Sequence, residues 1–152
     1  PGTFVWTGST SAWPAGTVTI LARAKDNQSA YSDAVATTVT INAAAPTIGT
    51  LTATPATLAV GTPLTLTASS VKDTAPGVVT AVEFYYDVDN NSVLDTTLDS
   101  LLGTGVNTSA GTWTLTNIST ASFVPGVVRL LARARDDQGA WSLTKLVTLT
   151  VV

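Results

Sequence analysis

The sequence lacks cysteine, histidine and methionine, and only 11% of its 152 residues are charged. Without cysteine the chain has no disulfide framework and no thiol nucleophile. Without histidine it has no side chain whose ordinary pKa suits acid–base chemistry near neutral pH. Glu83 is the single glutamate, and the pattern around it places it on the outer face of a strand. We therefore predict that the protein is not an enzyme.

Positive charge is also scarce, because seven Lys and Arg residues stand against ten Asp and Glu, for a net charge of −3. Nucleic-acid binding needs a basic face, and attachment to an anionic membrane surface needs a basic cluster. No apolar run reaches the roughly 18 residues of a membrane-spanning helix. The composition thus predicts neither nucleic-acid binding nor membrane insertion. The hydrophobic content of 45% excludes a disordered chain.

The sequence contains an internal repeat. Residues 16–32 read GTVTILARAKDNQSAYS, and residues 126–142, which lie 110 positions later, read GVVRLLARARDDQGAWS. The match extends backwards from GTFVWT at 2–7 to GTWTLT at 111–116, with a shift of one residue. A period near one hundred residues indicates whole domains in tandem rather than the short units of a solenoid.

The two copies differ in completeness. Residues 1–44 are predicted to be the C-terminal half of a repeat and to supply only its last three strands, while residues 45–152 form a complete repeat. Three strands in about 44 residues are close to the lower size limit for independent folding. We therefore expect neighbouring repeats, or copies of the same protein in an array, to be the partners that cover the apolar face of residues 1–44.

The complete copy shows the period-two alternation of β-strands. Leu64, Leu66 and Ala68, for example, alternate with Thr65 and Thr67. Such alternation with one apolar face indicates antiparallel sheets. The predicted fold is all-β, an immunoglobulin-like antiparallel β-sandwich with about seven strands per repeat. The predicted strands are 47–54, 62–69, 78–86, 99–104, 111–117, 126–135 and 140–151. Trp113 is predicted to lie between the sheets with Phe84, Leu66 and Leu130.

Two segments carry a resemblance to a known family. They are VEFYYDVDNNSVLDTTLDSLLGT at 82–104 and the repeated segment at 126–142. The chain resembles the tandem Ig-like repeats of large secreted bacterial proteins, which are abundant in planctomycetes. In that family a loop of the form D-x-N-x-N-G-x-x-D follows an aromatic strand, and here Ser92 stands at the place of the glycine. The resemblance implies an extracellular or cell-surface structural role, in a filament, a surface layer or an adhesin stalk.

The loop beginning DVDNNSVLD at residue 87 gathers carboxylates in an otherwise weakly charged chain. A calcium ion takes six to eight oxygen ligands, often from alternate residues of one loop. The candidate ligands are Asp87, Asp89, Asn91, the carbonyl of Val93, Asp95 and Asp99. An ordinary polar hairpin loop is the alternative interpretation. Three carboxylates within nine residues repel one another without a cation, which favours calcium as the cofactor.

The runner-up function is a carbohydrate-binding accessory module of a secreted protein, with glycans as partners. Sugar binding needs exposed aromatic rings. Tyr85 is predicted to point outward from its strand, and Trp13 and Phe123 are predicted to lie in loops. A second acidic pair, Asp136–Asp137, is predicted to be part of a polar hairpin turn in which Gly139 permits positive φ, and a second cation site is the alternative.

Overall fold

The computed structural model describes residues 2–10, 12–42, 44–75 and 77–152. The chain divides into two compact units, unit 1 (residues 1–43) and unit 2 (residues 44–152). Eleven strands make up the secondary structure of the described residues. No helix in these ranges has the length and apolar character needed to cross a membrane.

Unit 2 is a β-sandwich of nine strands. They are β3 (Thr50–Thr54), β4 (Thr57–Leu58), β5 (Leu64–Ser69), β6 (Val79–Tyr86), β7 (Ser100–Thr104), β8 (Val106–Ser109), β9 (Thr112–Ile118), β10 (Gly126–Asp136) and β11 (Lys145–Val151). One sheet has the order β4-β11-β10-β6-β7 and the other β3-β5-β9-β8. All strand pairs are antiparallel except β4 with β11. This arrangement confirms the predicted all-β, immunoglobulin-like sandwich.

The core lies between the two sheets and follows the alternation in the sequence. Residues 64–69 alternate between buried and half-buried positions, as expected for a strand with one face in the core. Trp113 is 8% exposed, while Phe84, Leu66 and Leu130 are fully buried in the same apolar cluster. The prediction that these four side chains pack together between the sheets is confirmed.

Two strands of unit 2 were not predicted. The first is β4, where the chain leaves one sheet after Thr54 and pairs for two residues with the end of β11 in the other. The second is β8, whose four residues are all exposed. Neither carries the alternating apolar pattern, because one is too short and the other is an edge strand with both faces in solvent.

Unit 1 contains one β-hairpin, β1 (Gly16–Ala22) and β2 (Val35–Ile41). In its register Gly16 pairs with Ile41 and Ala22 with Val35. The β10–β11 hairpin has the same register 110 positions later, from Gly126–Val151 to Ala132–Lys145. The structure therefore extends the sequence repeat to the pairing of individual residues.

The three-strand prediction for residues 1–44 was wrong in one respect, because residues 2–7 do not form a strand. Their counterpart in unit 2 is β9, whose ladder partners are β5 and β8. Unit 1 has no counterpart of either strand among its described residues. A strand needs a neighbour for its backbone N–H and C=O groups, and the described part of unit 1 offers residues 2–7 none.

Candidate metal centre

The loop of residues 87–99 joins β6 to β7 at one end of the five-stranded sheet. Asp87 follows the last residue of β6, and Asp99 precedes the first residue of β7. Their side chains are only 1% and 7% exposed, although Asp is rarely buried without a partner. The two strand ends thus hold two carboxylates at the base of the loop.

Three of the predicted ligands lie close together. Asp87, Asp89 and Asp99 each offer a carboxylate oxygen, and these oxygens lie within 4.8 Å of one another. None of the three forms an ion pair with a described Lys or Arg. Arg129 reaches the loop, but it donates to the backbone carbonyl of Asn90 at 3.0 Å. The cluster therefore concentrates negative charge that the described cations of the chain do not neutralise.

The remaining predicted ligands do not join this cluster. Asp95 accepts hydrogen bonds from the backbone N–H and the hydroxyl of Thr97, at 2.8 and 2.6 Å. Asn91 accepts from the N–H of Val93 at 2.6 Å and donates from its amide nitrogen to Asp89 at 2.7 Å. The side chain of Asn91 thus touches one member of the cluster, Asp89, while the carboxylate of Asp95 is engaged in a turn of its own.

The two buried carboxylates also hold the loop together. Asp87 accepts from the N–H groups of Asn91 and Ser92 at 3.1 and 2.7 Å. Asp99 accepts from those of Val88 and Asp95, at 3.0 and 2.8 Å. These bonds are those of a polar loop closed by its own side chains. A carboxylate oxygen has two lone pairs, so each can still ligate a cation while it accepts one N–H.

The carboxylates of the loop have distinct electrostatic environments. Desolvation, together with a hydrogen bond shared with Asp87, raises the pKa of Asp89. Hydrogen bonds from the side chain and backbone of Thr97 lower the pKa of Asp95. The carboxylate with the raised pKa, Asp89, therefore belongs to the cluster. The carboxylate with the lowered pKa, Asp95, lies outside it.

The backbone of the loop turns sharply at two non-glycine residues. Asn90 has φ = 60° and Ser92 has φ = 68°, both in the left-handed region. Asn enters this region more readily than most residues, but Ser pays a steric cost there. The loop therefore adopts at Ser92 a conformation that a glycine would favour.

The acidic residues of the two hairpin turns have a different role. Asp136 accepts from the backbone N–H groups two and four residues later, at 2.9 and 2.7 Å. Asp26 in unit 1 accepts from the corresponding groups, at 2.8 and 2.8 Å. The turn contains Gly139 with φ = 89° in unit 2 and Ser29 with φ = 71° in unit 1. Both aspartates therefore close their turns, as the polar-turn interpretation requires.

The outer face of the five-stranded sheet carries a polar and aromatic cluster that the sequence did not reveal. Arg133 donates from Nε and Nη2 to Glu83 Oε2 at 3.0 and 2.9 Å, and Nη2 also donates to Tyr85 Oη at 2.9 Å. Its guanidinium carbon lies 3.8 Å from the ring centroid of Trp141. The one available signal was the repeat itself, since Arg23 and Tyr31 have the same spacing.

This cluster corrects the prediction that Tyr85 is exposed. Tyr85 does lie on the outer face, but it is only 4% exposed because Arg133 and its neighbours cover the ring. Phe123 is also buried, at 3% exposure, and packs on Tyr86 with ring centroids 4.6 Å apart. Trp13 is half-buried and stacks on Trp6 at 6.4 Å. Tyr85 therefore contributes no exposed ring to a sugar platform.

No protein-family model matches the chain, and no curated protein matches it either. Solved structures similar to it include fibronectin(III)-like modules of Clostridium thermocellum CbhA, with 19% identity and a TM-score of 0.49. The likeness covers 90% of this chain, and the chain spans 63% of the CbhA chain.

Two further solved structures are similar over much of the chain. Superoxide reductase (neelaredoxin) from Ignicoccus hospitalis has 14% identity over 71% of this chain and 80% of its own, with a TM-score of 0.44. The D00-D0 domain of intimin has 16% identity over 88% of this chain and 65% of its own, with a TM-score of 0.35. At such values these likenesses establish neither a family nor a function.

Proposed function

We propose that the chain is a structural repeat segment of an extracellular or cell-surface protein, such as a filament, surface layer or adhesin stalk. The observation that carries this proposal is the hairpin that occurs twice with one register. Even its supporting bonds recur, since Ser32 and Ser142 each accept the N–H of the alanine eight positions earlier at 2.9 Å. Repeated modules of this kind act as spacers whose partners are neighbouring repeats or copies of the same protein.

The location is tested with antibodies raised against the chain. On intact cells of the source organism we expect surface labelling without permeabilisation. An antibody against a cytoplasmic protein is the control for cell integrity. Labelling that appears only after permeabilisation would contradict the extracellular assignment.

A calcium ion held by the loop of residues 87–99 is the second part of the proposal. Asp87, Asp89 and Asp99 would bind it, and the ion would offset the repulsion among their carboxylates. Asn91, the carbonyl of Val93 and Asp95 complete the proposed ligand set. Asp95 would have to release its hydrogen bonds to Thr97 in order to join. Calcium would stiffen the connection between β6 and β7 without taking part in any reaction.

Calcium binding is tested by thermal unfolding of the full chain with calcium and with a chelator. A ligand at about 100 times its Kd stabilises the folded state by about 2.7 kcal/mol, so chelation should lower the melting temperature of unit 2. Asp89→Asn should abolish most of the difference, whereas Asp33→Asn, outside the loop, should leave it intact. Identical melting curves with and without millimolar calcium would exclude the site.

The carbohydrate-binding alternative has less support. Of the three rings on which it was based, Tyr85 and Phe123 are buried. The strongly exposed rings Phe4 and Trp6 lie at the positions that match Trp113 and Leu115 of β9. These rings are exposed at positions whose equivalents in unit 2 pack against the core. Their exposure therefore does not indicate a sugar-binding surface.

A further inference from the structure

The β1–β2 hairpin of unit 1 has an apolar face and a strand edge that are only partly covered. In the equivalent hairpin of unit 2, other strands cover both. Val128, Leu130, Leu149 and Val151 are at most 4% exposed. Their counterparts, 110 positions earlier, are all only partly buried: Val18, Ile20, Val39 and Ile41. Apolar side chains at equivalent positions of one register thus lie in a core in one unit and near solvent in the other.

The length of β1 shows which neighbour is missing. β10 continues to Asp136, whereas β1 ends at Ala22, the counterpart of Ala132. The four additional residues of β10 have no ladder partner in β11 and pair with β6, apart from one bridge between Arg135 and Trp141 that has its equivalent between Lys25 and Tyr31 in unit 1. β1 therefore stops at the residue where its hairpin partner ends, because none of the described residues forms an equivalent of β6 along its other edge. That edge carries backbone N–H and C=O groups ready to pair with a further strand.

Arg23 indicates the chemistry of the missing strand. Its guanidinium carbon lies 3.9 Å from the ring centroid of Tyr31, as Arg133 lies 3.8 Å from that of Trp141. Arg133 also binds the Glu83 carboxylate, but Arg23 forms no ion pair with a described carboxylate. In the β6–β10 register Glu83 stands opposite Arg133. A strand along β1 with the same register would place its carboxylate opposite Arg23.

We propose that β1 accepts an antiparallel strand of the β6 type, with apolar residues at alternate positions and a carboxylate facing Arg23. This proposal rests on the proposed role as a structural repeat and specifies which strand completes the half repeat. The strand belongs to a front segment, equivalent to residues 46–110, that precedes the hairpin in the same polypeptide. The order of unit 2 supports a source in the same polypeptide, since β3–β9 precede β10 there. Residues 2–7 match the start of β9 and lead directly towards the hairpin.

The test adds a copy of residues 46–110 before residue 2, so that Ala110 again precedes a Gly-Thr pair as it does in unit 2. Hydrogen exchange of the β1 and β2 amides is compared between this extended chain and the 152-residue chain. We expect exchange at least ~100-fold slower in the extended chain, because the amides enter a core sheet. The measurement is made in EDTA, so its outcome does not depend on calcium or on location.

The matched control is the same extension with Glu83→Lys in the added copy alone. It should lose most of the added protection, because Lys then faces Arg23. Equal protection by both extensions would overturn the role of the carboxylate. Unchanged β1 exchange in an extended chain whose unit 2 is folded would overturn the docking itself. Protection of β1 through dimerisation of the 152-residue chain would show that a second copy is the occupant and would overturn a source in the same polypeptide.

A peptide keeps the proposal testable if the extended chain does not fold. Residues 78–88, with flanking lysines for solubility, are added to the isotope-labelled 152-residue chain. NMR shift changes are expected at β1, with none at β10, whose edge is occupied by β6. The Glu83→Lys peptide should bind at least ~10-fold more weakly, since a charge-assisted pair is replaced by repulsion. The absence of shifts at β1 would overturn the proposal.

Discussion

At the scale of single residues, the loop of residues 87–99 shows what spacing in the sequence can predict. The sequence placed Asp87, Asp89 and Asp99 in one proposed ligand set, and the structure brings their carboxylates together. It did not predict that Asp95 turns away, because Thr97 offers that carboxylate two donors within two residues. For Tyr85, alternation predicted the correct face of the sheet but not its burial. The covering residue, Arg133, is 48 positions away in sequence and adjacent only after the strands pair.

The left-handed residue in the loop gives a prediction on stability. A non-glycine residue at such φ is strained by roughly 1–2 kcal/mol, and glycine recovers this at an entropic cost of about 0.5–1 kcal/mol. Ser92→Gly should therefore stabilise unit 2 by about 0.5–1 kcal/mol in urea unfolding. The reverse change at a left-handed turn, Gly139→Ser, should destabilise it by a similar amount. A loss of stability in Ser92→Gly would contradict this account of the loop.

Tyr85 gives a prediction on pH dependence. Burial, then a hydrogen bond to Glu83, raises the pKa of Tyr85. The folded state therefore favours the neutral phenol. Its contribution to stability is fully present below the unfolded pKa, about 10, and is lost as the pH rises through the higher folded pKa. Tyr85→Phe should consequently weaken the alkaline fall in the free energy of unfolding of unit 2.

The measurement is urea unfolding at several pH values above neutrality. Tyr31→Phe is the control, because that ring lies in unit 1 and should not alter the unfolding of unit 2. An identical alkaline slope in the wild type and in Tyr85→Phe would refute the prediction.

At the scale of strands, those with a face buried in the core were the ones that the sequence predicted. β5, β6 and β10 have a face in the core, and their alternation was visible in the sequence. β8 has no buried residue and left no signal. Residues 2–7 have the sequence of a strand, but no strand among the described residues pairs with them. A pattern therefore predicts the ability to form a strand, whereas the ladder partners decide whether one forms.

β9 provides the prediction on core packing. Trp113 fills the space between the sheets, so Trp113→Ala should lower the free energy of unfolding by ~3–5 kcal/mol. Thr116→Ala, at an exposed position of the same strand, should change it by less than about 0.5 kcal/mol. Chemical denaturation measures both. A loss below about 1 kcal/mol for Trp113→Ala would show that this ring does not support the core.

At the scale of the whole molecule, the two units should differ in autonomy. Unit 2 has both sheets and a shared core, whereas unit 1 has one hairpin, and an isolated two-stranded hairpin is at best marginally stable. We expect a fragment of residues 44–152 to unfold cooperatively by circular dichroism. A fragment of residues 1–44 should show no cooperative transition. Cooperative melting of the short fragment as a monomer would contradict the half-repeat interpretation.

The parallel pairing of β4 with β11 has a mechanical consequence. Thr150 N–H donates to the carbonyl of Ala56, and Val152 N–H donates to that of Leu58, both at 2.9 Å. β4 lies near the start of unit 2 and β11 near its end, and the two run in the same direction. Tension applied through the two ends of the unit would slide these strands along each other. The hydrogen bonds between them would then be loaded together in shear rather than opened one by one. A pull along the polypeptide would thus meet resistance where β4 joins β11, the last strand of the unit.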